Sequence, residues 1–193
     1  MTGTIDVVVL ASGFSRRFGG ENKLVQVFHG KPLIRHVLDL AVDLGLGGKV
    51  FLIYSAPETL AAAGESGAQA IRNERPGRGL CESVRLGVAA STADYYLFVH
   101  GDQPLLDHGT VAAIVSRRRH GRIVTPCHGG SPGNPTLFSS FFRRELLELA
   151  DGDSPRVLKS RHADRVDMVE IDSPRALRDV DTVEDFRRLE EML

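Results

Sequence analysis

Two cysteines in 193 residues, Cys81 and Cys127, leave this chain without a disulfide framework. With no C-x-x-C and no recurrent Cys/His spacing, a zinc site does not follow from the sequence either. No apolar run approaches the ~18 residues that a membrane span needs. Neither sign of charge dominates: 24 Lys and Arg stand against 25 Asp and Glu, for a formal net charge of −1. No global field therefore draws the chain to nucleic acid or to an anionic membrane. Pro/Ser-rich linkers, internal repeats and low-complexity tracts are missing. Met1 to Thr4 run straight into an apolar strand, which leaves no room for a signal peptide, and the cytoplasm is the expected compartment. Two common phosphate motifs are lacking as well. Lys23 follows Asn22 and precedes Leu24, so G-x-x-x-x-G-K-[ST] is not formed. Gly13 is followed by Phe14 and Ser15, so G-x-G-x-x-G is not formed either. A P-loop NTPase and an ordinary dinucleotide-binding protein are thereby set aside.

What is present begins with the stretch Leu10 to Lys23. Ile5 to Leu10 read as a strand buried on both faces. Lys31 to Leu44 read as a helix, with Pro32 suited to its first turn. After the strand, the loop up to Lys23 holds three glycines, two arginines and that lysine. A glycine-rich turn leaving a buried strand can aim several backbone N–H groups at one anion, and nearby cations neutralise it. The implied ligand is a polyphosphate, with Arg17 and Lys23 as its partners. Arginine's planar fork can hold two oxygens, whereas lysine offers a compact charge. In an exposed loop, truncation of Lys23 is expected to cost little stability.

Further strands are expected at 50–54, 68–72, 95–99, 122–125, 135–138 and 166–171. Helices are expected at 57–63, 80–90, 108–119, 140–150 and 154–160, with a terminal one opening at Asp179–Thr182 and reaching about Met192. Residues 127–134 read as a glycine-rich loop. The alternation of strand and helix in the first 120 residues predicts parallel βαβ units in a doubly wound sheet. One domain is expected, its nucleotide half continuing into a mixed α/β lobe from about residue 121. Ligands of such sheets bind outside the carboxyl ends of the strands. Asp102 stands there, in Gly101-Asp102-Gln103-Pro104, and two readings of it stay open. One is an oxygen ligand for Mg²⁺, an ion that takes one or two carboxylates plus phosphate oxygens. The other is a turn in which the carboxylate bonds its own backbone.

The order L-x-x-G-x-S-x-R-F-G-(x)₃-K-L from Leu10, followed by G-K-P-L-I from Gly30, resembles the nucleotide-binding loop of nucleotidyltransferases with a GT-A-like fold. Within them it is most similar to the branch that transfers a nucleotide to molybdopterin. That resemblance implies a mostly parallel Rossmann-type α/β sheet, with Lys23 and Arg17 against the triphosphate and its departing pyrophosphate. It places a metal aspartate at Asp102. It completes the site from Asp179-Val180-Asp181-Thr182, with Asp181 preferred and Asp179 as the alternative, although an N-cap also explains those residues. Leu10, Ala11, Ser12 and Gly13 would meet the nucleotide. The guanylyl branch has glycine where Ser12 keeps a Cβ, which leans toward cytosine. Asn73, Gly79, Ser83, Arg85 and Gly87 resemble the cytidylyl branch's second loop, with Glu74 in place of its proline. Gly133-Asn134-Pro135 resembles the acceptor-side turn, or is a surface loop. Arg117 to His120 read as a solvated helix end, Phe18 and Leu24 as packing, His36 and His100 as structural.

The expected reaction is transfer of CMP from CTP to a molybdopterin-type phosphate, with Mg²⁺ as cofactor and no Ser/His/Asp constellation. Rival readings are the same donor site used with GTP, a sugar or polyol phosphate as acceptor, and a non-catalytic chaperone that delivers cofactor to a client molybdoenzyme. An intact pair of metal carboxylates favours catalysis over the last.

Overall fold

The computed structural model describes residues 3–191. Strand β1 (Ile5–Ala11) is buried at every position. Next come a two-strand hairpin, β2 (Val27–Phe28) with β3 (Lys31–Pro32), helix α1 (Leu33–Asp43) and β4 (Gly47–Tyr54). Helix α2 (Pro57–Ala63), β5 (Gln69–Arg72), α3 (Leu80–Ala90), β6 (Tyr95–His100) and α4 (His108–Ser116) complete the first part. The rest comprises β7 (Ile123–His128), β8 (Ser131–Pro132), β9 (Thr136–Ser139), α5 (Arg143–Leu147), α6 (Arg156–Arg161), β10 (Val166–Glu170) and α7 (Val183–Glu191).

Seven strands follow the order β10-β7-β9-β6-β1-β4-β5, and β8 joins the same eight-stranded sheet through β7. β1 pairs in parallel with β4 and β6, β4 with β5, and β7 with β10. β9 runs antiparallel between β6 and β7. This is the expected mostly parallel α/β sheet of Rossmann type. Successive side chains of a strand point to opposite faces, so β1 feeds two cores at once. Ile5, Val7, Val9 and Ala11 meet Ile34, Val37 and Leu38 of α1 and Ile114 of α4. Val8 and Leu10 meet Val84 and Val88 of α3 with Phe142 and Leu146 beyond. Gly87 permits that approach, since a Cβ there would stand 2.4 Å from Val8 Cγ1. A third cluster, Phe18, Phe28, Leu33, Val180 and Leu189, clamps the glycine loop to the C-terminal segment. Phe18 and Phe186 meet edge to face at 6.1 Å.

Several boundaries differ from the sequence reading, each for a local reason. The first helix starts at Leu33, not Lys31, because His29 and Gly30 (φ 45° and 79°) turn the chain into a hairpin that holds Lys31 and Pro32 extended. α4 stops at Ser116, and i→i+3 bonds from Arg117 and Arg118 tighten the exit into β7, leaving the arginine run outside the helix. β7 runs through Pro126 to His128, so part of the expected 127–134 loop is strand. Pro126 lacks an N–H, but its carbonyl accepts from Gly133 N at 2.8 Å. The 140–150 helix is a 3₁₀ turn, capped by Ser139, followed by the short α5. The expected end of the terminal helix at Met192 lies outside the described residues, as do Met1 and Thr2.

Candidate active site

Because β1, β4 and β6 are parallel and in register, with Leu10 opposite both Ile53 and His100, their carboxyl ends share one edge. The glycine loop and the Gly101–Pro104 turn both leave from it. Gly101 N donates to Leu10 O at 3.0 Å, and a Cβ on Gly101 would stand 2.9 Å from Ile34 Cδ1. Glycine is needed there for close approach of the two chains. Lys23 is fixed by its own backbone. Its N–H donates to Ser15 Oγ, Asn22 Oδ1 caps the turn through Leu24 N, and Leu24 is buried.

Lys23 Nζ donates to Asp102 Oδ2 at 2.5 Å and to Asp181 Oδ1 at 3.0 Å. Arg17 reaches the other oxygen of Asp181 at 3.0 Å. Lys23 is 9% exposed, which corrects the expectation of an exposed lysine whose truncation is cheap. The two acids meet because Val180 N donates to Asp102 O at 2.9 Å while Val180 itself is buried in the third cluster. The cap of α7 falls to Thr182, whose Oγ1 accepts from Asp185 N, and Asp185 reciprocates toward the N–H groups of Asp181 and Thr182. The Asp181 carboxylate is thereby left to the cations rather than spent as a cap. Asp179, His100 and Asp102 each bring one ligand atom within 4.8 Å of the others.

Burial alone would lower the Lys23 pKa, but the charge and hydrogen bond of Asp102, then those of Asp181, outweigh it and raise it. His100 is held below its ordinary value by desolvation, with Lys23 and Arg156 adding to it against the opposing charges of Asp102 and Asp181. Desolvation, then the charges of Asp102 and Asp181, push Asp179 up to about 7. A divalent cation would relieve that crowding of acids. The donor set fits a hard ion, being carboxylate oxygens with one imidazole nitrogen. Asp102 Oδ1 is buried without a hydrogen-bond partner, an arrangement that a bound cation would satisfy.

Asp179 borders a separate cavity, whereas Arg17, Lys23, His100, Asp102 and Asp181 line a cleft of ≈ 510 Å³. Of the residues singled out in the sequence, Leu10, Ala11, Ser12, Gly13, Arg17, Lys23, Gly79, Ser83, Asp102 and Asp181 border it. Ser12 Oγ donates to Ile53 O at 3.1 Å, which commits its proton to the neighbouring strand. Asn73 stands behind the wall: it is 1% exposed, donates to Ser83 Oγ and accepts from Arg75 N. Arg85 leaves the cleft for Asp151, at 2.6 Å. Gly133 and Asn134 border a different cavity, described below. Phe18 and Leu24 are packing residues. His36 donates or accepts at Phe28 O, 2.7 Å away, and packs on that ring. His100 was read as structural and instead lies among the acids. Its signal was its place beside Gly101-Asp102 at a strand end.

The fold and the cleft define a nucleotidyltransferase, an enzyme class that the comparisons support. A nucleotidyl transferase from Methanothermobacter superposes with a TM-score of 0.87 over 98% of this chain and 97% of that one, at 21% identity, a likeness of fold. The Rv0371c protein of Mycobacterium tuberculosis H37Rv in complex with manganese does so with a TM-score of 0.79 over 98% and 100%, at 26% identity. Residues 7–166 match the MobA-like NTP transferase domain, and the chain belongs to that family. Among curated relatives, the molybdenum cofactor cytidylyltransferase of Escherichia coli K12 is 28% identical over 94% of this chain and 93% of its own. The nicotine blue oxidoreductase of Paenarthrobacter nicotinovorans is also 28% identical, over 94% of each. The molybdenum cofactor guanylyltransferase of Mannheimia succiniciproducens is 26% identical over 82% of this chain and 83% of its own. No helix among the described residues is long and apolar enough to cross a membrane.

Proposed function

We propose that this protein transfers CMP from CTP to the terminal phosphate of a molybdopterin-type acceptor in a Mg²⁺-dependent reaction. The observation that carries the reading is the Lys23 ammonium held between Asp102 and Asp181 on the floor of the glycine-loop cleft. Two carboxylates converging on one cation make a position that a metal ion can take, which would release Lys23 toward phosphate. Asp102 and Asp181 would hold Mg²⁺, with Asp179 as the alternative second carboxylate. When bound, the ion neutralises phosphate charge and orients the triphosphate.

An oxygen of the acceptor phosphate forms the new bond to the α-phosphorus. The bond from that phosphorus to the β-bridging oxygen breaks, and pyrophosphate leaves with the electron pair. Lys23 and Arg17 neutralise the charge gathering on the leaving group, where preorganised cations in a water-poor cleft are most effective. No proton shuttle is required, so positioning carries the step. Ala11, Ser12 and Gly13 meet the base by backbone, and the Cβ of Ser12 favours cytosine over the larger purine. Gly79 and Ser83 form the opposite wall.

Pyrophosphate release from protein, Mg²⁺ and molybdopterin, measured with CTP and GTP in parallel, tests the reading. Release with CTP exceeding that with GTP is expected. Preference for GTP overturns the base assignment. Absence of release with either nucleotide, while the protein still binds them, overturns the transfer and favours a carrier.

A further inference from the structure

Helix α6 carries Arg156 and Lys159 three positions apart, hence on one face. Both border a second cavity of ≈ 510 Å³, together with Thr125, Asn134, Val166 and Met168. A small cavity of ≈ 40 Å³, the neck, shares walls with both this cavity and the nucleotide cleft. It shares Asn134, Arg156 and Lys159 with the outer cavity, and Leu10, Leu80 and His100 with the cleft. The three cavities, taken together as a trough, lead from the carboxylates to Met168, which is 49% exposed.

The two cations differ from those of the cleft in having no counter-charge in contact. Among the described residues, neither side chain makes an ion pair or hydrogen bond. Lys159 is half-buried, and desolvation followed by repulsion from Arg156 lowers its pKa. Arg156 lies near enough to His100 and Asp179 to oppose a proton on either. A half-buried ammonium beside a guanidinium is unfavourable until an anion arrives. The neighbouring turn is firmly placed: Gly152 N donates to Arg78 O at 2.8 Å, and Asp151 pairs with Arg78 and Arg85. Gln103, next to Asp102, donates to Leu177 O and, at 3.5 Å, to Asn134 O, which ties the acid's turn to the trough wall.

We propose that Arg156 and Lys159 are the binding pair for the acceptor's phosphate, a phosphomonoester dianion whose flat, hydrogen-bonding body lies outward along Thr125, Asn134 and Met168. The proposal rests on the nucleotidyl-transfer reading for the word acceptor, and on the trough itself for the anion. A dianion that must attack a phosphorus needs cations distinct from those committed to the triphosphate. Lys23 and Arg17 are already engaged by Asp102 and Asp181. Arg156 and Lys159 both border the neck, where the attacking phosphate must lie, as well as the outer cavity.

Two measurements decide it. The chain has four lysines, Lys23, Lys31, Lys49 and Lys159, so their side-chain ε signals are separable by carbon NMR. Titration with inorganic phosphate, with CTP and Mg²⁺ saturating the first cleft, should shift the Lys159 signal saturably and leave Lys31 and Lys49 unmoved. Arg156→Gln should abolish that shift. A Lys159 signal that stays fixed overturns the site, whatever the enzyme's activity. In the transfer assay, Arg156→Gln should raise the acceptor KM about tenfold or more, with CTP affinity within twofold. Lys159→Gln should raise it several-fold and Lys159→Arg should restore it. If Arg156→Gln fails to fold, the Lys159 pair carries the test. Wild-type acceptor KM in folded variants of an active enzyme overturns the proposal. A wild type that transfers nothing, yet shows the Lys159 shift, overturns the function and leaves the anion site standing.

Discussion

The two ends of the trough hold the same kinds of side chain in opposite electrostatic states. At the nucleotide end, Lys23 and Arg17 are neutralised by Asp102 and Asp181. At the far end, Arg156 and Lys159 face a cavity with no carboxylate in contact. The difference teaches how each end would be filled. The paired end stores its cations in a compact, satisfied state, which a metal and a polyphosphate must exchange partner for partner. The unpaired end needs no exchange and would accept an anion directly. Asp179 feels both ends: the charges of Asp102 and Asp181 oppose its ionisation, and those of Lys23 and Arg156 favour it.

Lys23→Ala should break the paired end most completely. Turnover is expected to fall about 10²–10³-fold, as when one preorganised charge contact is removed. Because Lys23 is buried between two acids, its loss should also destabilise the metal-free protein by about 2 kcal/mol. Mg²⁺ should recover that loss by standing between the carboxylates. Thermal midpoints with and without Mg²⁺ check this, and a midpoint insensitive to both changes contradicts the exchange.

Asp102→Asn and Asp181→Asn should each lower turnover on the order of 10²-fold at limiting Mg²⁺, with partial rescue by excess metal. The double variant should be less than additive, since both disable one site. If Asp179→Asn has the large effect and Asp181→Asn does not, the second ligand moves two residues upstream. Effects confined to the acceptor KM would erase the contrast between the ends.

Ser12 gives a smaller and sharper test. Its hydroxyl is occupied by Ile53 O, so Ser12→Ala should keep the preference for CTP, whereas Ser12→Gly should shift it toward GTP by about tenfold or less. Competition at equal nucleotide concentration reads it out. A shift in Ser12→Ala alone would return the role to the hydroxyl.

A further test concerns Asp179. Its folded pKa, about 7, lies above the ordinary carboxylate value. Between about pH 4 and 7 the native chain holds a proton that the unfolded chain has released, so stability falls as pH rises across that window. Above pH 7 both states are ionised and the contribution is flat. Asp179→Asn should flatten the decline between pH 4 and 7 in metal-free thermal scans. An unchanged slope would remove Asp179 from the acid cluster.

Much of the nucleotide end was legible because its signals are local. The Leu10–Lys23 loop follows a strand whose every residue is apolar or buried, and α2 and α3 lie where composition puts them, at Pro57–Ala63 and Leu80–Ala90. The turn at Asp102 was legible for the same reason. What escaped depends on contacts distant in sequence. β9 inserts antiparallel between β6 and β7, which no local periodicity announces. Asn73 was legible only as part of a loop resembling the cytidylyl branch's, and its burial against Ser83 depends on the folded chain. His100 acquires its neighbours only when Asp179 is folded beside Asp102. Arg156 and Lys159 fall in the helix expected at 154–160, and nothing in their spacing distinguished a face turned to a cavity.

The central claim is that the α-phosphorus of CTP, activated at the paired end, is captured by a phosphate held at the unpaired end. CTP labelled at the α-phosphorus, incubated with Mg²⁺, molybdopterin and the protein, tests it in one measurement. The account predicts label in the acceptor, one equivalent for each pyrophosphate released, and almost none with Lys23→Ala. Label recovered only in CTP or free CMP, while the protein still binds both nucleotide and acceptor, would contradict it.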